Sequence, residues 1–171
     1  MTEKKIVRKI QAGDARLLDR LFQSYYGQVY AYCYRHTGHR EAAQDLTQET
    51  FLRVVQSLDQ YREYGKFANY LYVVAGNLCR DYYRKKPCYP LADYERQSLI
   101  RETERVEERL AVRQALAELE GEVREAVILR FYQQLRYQDI ARILGITVST
   151  AKYRVKQGIR QLSAFLKGDG E

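Results

Sequence analysis

From Gly145 through Lys167 the chain contains no Asp or Glu, yet Ser149, Thr150, Lys152, Tyr153, Arg154, Lys156, Gln157 and Arg160 crowd into that stretch. All are hydrogen-bond donors or mixed donor-acceptors, the groups that engage a DNA duplex. Lys152, Tyr153, Lys156 and Gln157 are expected to read base edges, and Arg154 and Arg160 to meet phosphates. A second set lies in Phe67 to Lys86, FANYLYVVAGNLCRDYYRKK. Aromatics interleaved with Lys, Arg and Asn offer rings to stack on bases, cations for phosphate and an amide for a base edge, as single-stranded nucleic acid requires. A plain alternative stands beside this one, because Arg84, Lys85 and Lys86 at a helix C-terminus also suit its dipole.

Nothing comparable suggests catalysis. His36 and His39 are three apart, but no carboxylate or cysteine pattern completes a metal set, and both read as surface residues at a helix end. Cys33, Cys79 and Cys88 are odd in number and lack ligand spacing, so neither a zinc site nor a disulfide framework is indicated. Cys33 and Cys79 fall in helical patterns as core residues, and Cys88, beside Pro87, reads as exposed. No catalytic residue, metal or cofactor is expected.

The duplex-facing residues need a rigid mount, and Tyr137 to Arg160, YQDIARILGITVSTAKYRVKQGIR, supplies the pattern for one. Ile140, Ala141 and Leu144 give a first helix an apolar side, and Gly145 tolerates the positive φ of a tight turn. Ile146 plugs the corner and Thr147 is a good N-cap. Val148, Ala151, Val155, Leu162 and Leu166 then recur at three- and four-residue steps, predicting one buried stripe on a second helix. This is a helix-turn-helix pattern. A core-packing helical hairpin with a solvated basic face is the bland alternative.

Upstream, apolar residues from Leu17 to Cys33 keep helical spacing, with Thr37-Gly38 as a stop and Gly27 as the expected joint of a broken helix. With 16 Tyr and no Trp in the chain, most tyrosines read as core residues with a polar tip. Glu41 to Leu58 predicts another helix, with Leu46, Thr50, Phe51, Val54, Val55 and Leu58 inward and Asp45, Gln48, Glu49, Leu52, Arg53 and Gln56 outward. An outward Leu52 ringed by charges and amides is either a small docking surface or an ordinary exposed leucine. Gln60 to Lys66, with Tyr61 and Tyr64, breaks the period as a loop.

Pro87 to Glu104 holds the chain's only two prolines and weak periodicity, and predicts a linker. Val106 to Leu119, broken by Gly121, and Glu122 to Gln134 are helical again. No segment reads as strand. The expected fold is all-α: two small helical domains, residues 1–86 and 105–171, joined by a flexible linker at 87–104, the second domain a helix-turn-helix. The formal charge of +7 and pI near 9.3 favour a polyanionic partner. The surplus is divided, +6 in residues 1–86 and +4 in 122–171 around an acidic middle of −3. No apolar run approaches the roughly 20 residues that span a bilayer, so no membrane insertion is expected and a reducing cytoplasm fits.

Taken together, these residues resemble the extracytoplasmic-function (ECF) group of RNA polymerase sigma factors, collinearly over nearly the whole chain. The group's Asp-x-x-Gln-Glu-x-Phe segment stands here as Asp45, Gln48, Glu49 and Phe51, with Leu52 and Arg53 beside it. The resemblance implies that these residues grip the clamp helices of core polymerase. The group's next helix is matched by Phe67, Tyr70, Leu71, Tyr72, Val74, Ala75, Asn77, Asp81 and the basic run from Arg84. It implies promoter opening, with Asn77 at the pocket that captures an unstacked base and Tyr61, Tyr64, Lys66, Tyr70, Arg84 and Lys85 around the single strand. The C-terminal block would read the upstream element as duplex. Tyr70 in place of Trp, Gly76 in place of Arg, and Tyr153, Gln157 and Ile159 at recognition-helix positions depart from the group's pattern, so promoter sequence does not transfer. The implied partners are core RNA polymerase, promoter DNA and an anti-sigma factor, often membrane-bound, that covers the polymerase-binding faces. The rival reading is a helix-turn-helix repressor or activator that works without polymerase.

Overall fold

The computed structural model describes residues 1–62, 66–85 and 103–168 and is helical throughout, with no strand among them. Tyr64, Cys88 and nearly all of the expected linker lie outside the described residues. The chain divides into two units, Met1–Cys88 and Tyr89–Glu171.

The N-terminal unit holds α1 (Glu3–Gln11), α2 (Arg16–Thr37), α3 (Arg40–Ser57), a 3-10 turn at Leu58–Gln60 and α4 (Phe67–Lys85). Helices α2, α3 and α4 pack on one another, and α1 lies on α2. Their shared core contains Leu21, Val29, Tyr32, Cys33, Val54, Leu71 and Cys79. Gly38 ends α2 in the left-handed region, φ 68°, where an L side chain would be strained. Thr47 and Thr50 sit in the apolar stripe of α3 because each hydroxyl donates to the carbonyl one turn back, Ala43 O and Leu46 O, both at 2.6 Å.

Three expectations for this unit are corrected. Helix α2 runs unbroken through Gly27, because Leu21 and Val29 on either side share one buried stripe that holds the register. His36 is only 7% exposed: one turn beyond Tyr32, it meets that ring edge-on at 4.5 Å and faces the core. Val55 is 41% exposed, since it lies about 100° round α3 from fully buried Val54. Helix α1 was not expected at all, although Val7 and Ile10 are spaced to bury one face and do so.

The C-terminal unit holds α5 (Thr103–Glu118), α6 (Gly121–Val127), a π turn at Ile128–Tyr132, α7 (Tyr137–Leu144) and α8 (Val148–Gly168). Thr103 already belongs to α5, and Gly121 opens α6, so the expected boundaries shift slightly. Leu116, Leu119, Val123 and Val127 form a core cluster joined by Val112 and Leu162. Phe131 is 52% exposed although Val123 to Leu129 are largely buried, because the π turn rotates the chain after Leu129. Val148 and Leu166 are also exposed, contrary to the expected buried stripe. Helix α8 is about 31 Å long by its rise, so its ends overhang the shorter α6 and α7.

Candidate nucleic-acid and polymerase-binding surfaces

The turn between α7 and α8 is built as the sequence requires. Gly145 adopts φ 64°, ψ 37°, and the Ile146 amide reaches back to Ala141 O at 3.0 Å. Thr147 Oγ1 accepts from the Thr150 amide at 3.1 Å, capping α8. Ala151, Val155 and Gly158 are buried, and Gly158 lies so close to α6 that a Cβ there would meet Val127 Cγ2 at 2.4 Å. The opposite face presents Ser149, Lys152, Tyr153, Lys156 and Arg160 exposed, with Gln157 half-buried and Thr150 engaged at the cap. Tyr153 is the most exposed of the large hydrophobic side chains of the helix, at 66%.

Two cations on this unit behave differently from their neighbours. Arg154 is turned away, pairing with Glu122 at 2.7 Å and only 19% exposed, because it lies about 100° round from Tyr153 toward α6. Its guanidinium braces α8 against α6 and is removed from the phosphate-facing set. Lys152 Nζ sits 5.8 Å over the Tyr137 ring, whose centroid is also 4.5 Å from the Arg130 guanidinium. Arg130 in turn donates to Leu135 O at 2.9 Å. Tyr137, at the start of α7, therefore steadies a side chain expected to read bases, a role for which the sequence carried no spacing signal.

On the N-terminal unit, Asp45, Gln48, Leu52 and Arg53 are exposed along α3 and Glu49 is half-buried. Glu49 and Arg53 pair at 2.8 Å, one turn apart. Such a surface pair is worth about 0.3–0.5 kcal/mol, so either partner is easily released to another surface. Exposed Val55, three residues from Leu52, doubles the apolar content of this strip. Its i, i+3 spacing was visible, but spacing alone assigned it inward.

Tyr70, Asn77 and Arg84 stand at seven-residue steps on α4, which drift only about 20° per step and so keep one stripe. Along it Tyr70 is half-buried while Asn77 and Arg84 are exposed, as are Lys66 before the helix and Lys85 at its end. The expected stacking rings are largely committed to each other. Tyr61 lies 4.9 Å from Tyr70 and edge-on to buried Phe67 at 5.5 Å, and the Tyr70 hydroxyl bonds to Ser57 Oγ. They form a wall more than a set of free platforms. Asn77 Oδ1 accepts from Arg80, and Arg84 pairs with Asp81 at 2.8 Å. Arg80, exposed and three residues from Asn77, is a cation of this stripe that sequence reading passed over.

Among the described residues no group of three His, Cys, Asp or Glu side chains converges as a metal site, and no helix is long and apolar enough to cross a membrane. The Sigma-70 region 2 family matches residues 21–87 and the Sigma-70 region 4 family residues 109–162. The chain is 28% identical over 183 residues to the ECF RNA polymerase sigma factor SigW of Bacillus subtilis, covering 98% of each. It is 32% identical over 144 residues to the ECF RNA polymerase sigma factor EcfG of Rhodopseudomonas palustris, covering 78% of this chain and 76% of that one. Its fold is similar to that of CnrH, solved with the cytosolic domain of CnrY, at a TM-score of 0.77, 23% identity and 98% coverage of both. With α2 to α4 falling in one sigma region and α6 to α8 in the other, this chain belongs to the ECF RNA polymerase sigma factors.

Proposed function

We propose that this sigma factor addresses core RNA polymerase to its promoters through two DNA contacts of different kinds, residues 1–86 serving strand opening, 105–171 duplex readout and 87–104 the connection. The observation that carries the reading is the acid-free outward face of α8, where Lys152, Tyr153, Lys156 and Arg160 are exposed on a helix whose far side is buried. Such a face fits a major groove, each good bidentate contact being worth about 1–3 kcal/mol of discrimination. Ser149, Thr150 and Gln157 complete the duplex set, and Arg160 serves phosphate.

The strip of Asp45, Gln48, Glu49, Leu52 and Arg53 on α3 takes the polymerase clamp, with Val55 as a second apolar anchor. The stripe of Tyr70, Asn77, Arg84 and Lys85, together with Tyr61, Tyr64 and Lys66, takes the opened strand. Unstacking a base costs a few kcal/mol and stacking on an aromatic returns about 1–3 kcal/mol, so docking on polymerase must supply the remainder. The chain performs no bond chemistry of its own, and phosphoryl transfer belongs to core polymerase. It works in the cytoplasm, where polymerase and DNA meet.

An anti-sigma factor is the expected regulator. The solved relatives CnrH and RpoE of Bartonella quintana were captured with the CnrY cytosolic domain and the anti-sigma factor NepR respectively. For this chain the analogous partner would cover the α3 strip. Transcription from a mapped promoter with purified chain and core polymerase alone tests the whole proposal. Start-site-specific transcript is expected, and DNA binding without core-dependent initiation would refute it in favour of a polymerase-independent regulator.

A further inference from the structure

Helix α1 meets the promoter-opening region through two polar side chains, one at each end. At its start Glu3 Oε1 accepts the Phe67 backbone N–H at 2.9 Å, and Oε2 accepts the Tyr25 hydroxyl. The carboxylate thus sits at the N-terminus of α4, where the helix dipole favours an anion. At the far end of α1, about 12 Å of helix rise away, Gln11 Nε2 donates to Leu58 O at 2.9 Å and to Tyr61 O at 3.1 Å. Both amide protons are engaged, so this is a saturated clamp on the turn that precedes Tyr61.

Between the two anchors lies a cavity of about 260 Å³ bordered by Glu3, Arg8, Gln11, Tyr61, Arg62 and Phe67. The facing surfaces are therefore not in continuous apolar contact, and the Glu3 and Gln11 hydrogen bonds link α1 directly to the backbone around Tyr61 and at Phe67. The apolar hold of α1 comes from Val7, which also borders the cavity, and from Ile10; both are buried while Glu3 and Gln11 reach across. What those two residues add is the fixed position of residues 58–61 and of the first turn of α4, which together carry the tilted Tyr61–Tyr70 ring pair.

We propose that Glu3 and Gln11 are positioning residues for promoter opening, α1 acting as a brace that holds residues 58–61 and the first turn of α4 ready for the single strand. The inference rests on the single-strand role given above to Tyr61, Tyr70 and Asn77. A prearranged segment loses less freedom when it takes up DNA, so its loss is felt at opening and not at duplex readout or polymerase docking.

The test uses holoenzyme reconstituted from the full chain and core polymerase on a duplex promoter. Opening is read by permanganate reactivity and recruitment by protection of the upstream element. Gln11→Glu keeps the side chain's shape but sets acceptors against two carbonyl oxygens, and Gln11→Met removes the donors without adding charge. Both variants, and Glu3→Ala, are expected to lower opening about three- to tenfold with protection unchanged, whereas Glu3→Gln, which keeps an acceptor for the Phe67 amide, stays near wild type. Wild-type opening in Gln11→Met and Glu3→Ala overturns the proposal, and so does a proportional fall of opening and protection together, which marks simple destabilisation. Asn77→Ala separates the two levels. If it opens poorly while the α1 variants open normally, the single-strand reading stands and the brace falls; if it opens normally, the underlying reading falls and the proposal with it.

Discussion

Gly158 makes a severe test of how the recognition helix is seated. Gly158→Ala would place a Cβ 2.4 Å from Val127 Cγ2 and 3.0 Å from Val123 Cγ1. Both contacts are with β-branched side chains on α6, which have one strongly preferred χ1 in a helix and cannot swing aside cheaply. Overpacking of this kind costs about 1–3 kcal/mol, and Ala recovers about 0.8–1 kcal/mol of helix propensity over Gly, leaving a net loss of about 0–2 kcal/mol. Gly27→Ala is the matched control. Gly27 is exposed inside α2 with nothing within 4 Å of its would-be Cβ, so the same substitution should stabilise by about 0.5–1 kcal/mol. Urea unfolding of the full chain, with amide exchange followed separately in residues 16–85 and 121–168, should show opposite signs in the two units. Because α8 carries the proposed duplex-reading face, Gly158→Ala should also weaken binding of promoter duplex. Val127→Ala alone costs about 2 kcal/mol, yet combined with Gly158→Ala it should restore part of both losses, a coupling of about 1 kcal/mol or more. Stabilisation of Gly158→Ala as large as that of Gly27→Ala, or strict additivity in the double variant, would refute the close-approach argument.

Four further outcomes can be checked. Gln48→Ala with Glu49→Ala should weaken capture of core polymerase while shifting unfolding by less than about 0.5 kcal/mol, since both lie on the outer side of α3; unchanged capture would remove the docking role. Asn77→Ala should depress permanganate reactivity more than upstream protection. Lys156→Ala should weaken duplex binding and, where the lysine meets phosphate, lower the salt slope by about 1, whereas a base contact would instead relax specificity at one position. Burial pushes the Tyr72 phenol up to about 12, against the pull of the Arg35 cation. In the unfolded chain the phenol ionises near 10, so its contribution is intact below that pH and is lost as pH rises from about 10 to 12. Tyr72→Phe should flatten that part of the stability profile; an unaltered slope would assign the alkaline loss elsewhere.

Much of the duplex-reading mount was legible because its determinants are local. Gly145 needs positive φ, Thr147 bonds to an amide three residues on, and the acid-free run from Gly145 to Lys167 lies on one helix. The outward placement of Gln48, Leu52 and Arg53 was legible for the same reason, since a period of 3.6 residues assigns the centre of a helix face unambiguously. Residues at the edge of a face were not. Val55, Val148 and Leu166 are apolar and correctly spaced, yet Val55 lies at the edge of the buried face of α3 and the other two near the ends of α8, and only the neighbouring elements decide what is covered there. Arg154 fails the same way in the opposite direction, drawn into an ion pair by a carboxylate 32 positions earlier.

The sequence by itself determined the helical class of the described residues, the glycine turns at Gly38 and Gly145, and which outward residues were candidates for nucleic-acid and polymerase contact, because propensity, capping and periodicity act over a few residues. The tertiary structure decided which of those side chains remain free to act. His36 became core by meeting Tyr32 under the cover of neighbouring helices, and Tyr61 and Tyr70 became a wall by packing on each other. Gln11 became a clamp through carbonyls 47 and 50 residues away. Contacts of that span leave no period in the sequence. They exist only once the apolar stripes have been buried and the polar groups at their margins must find partners.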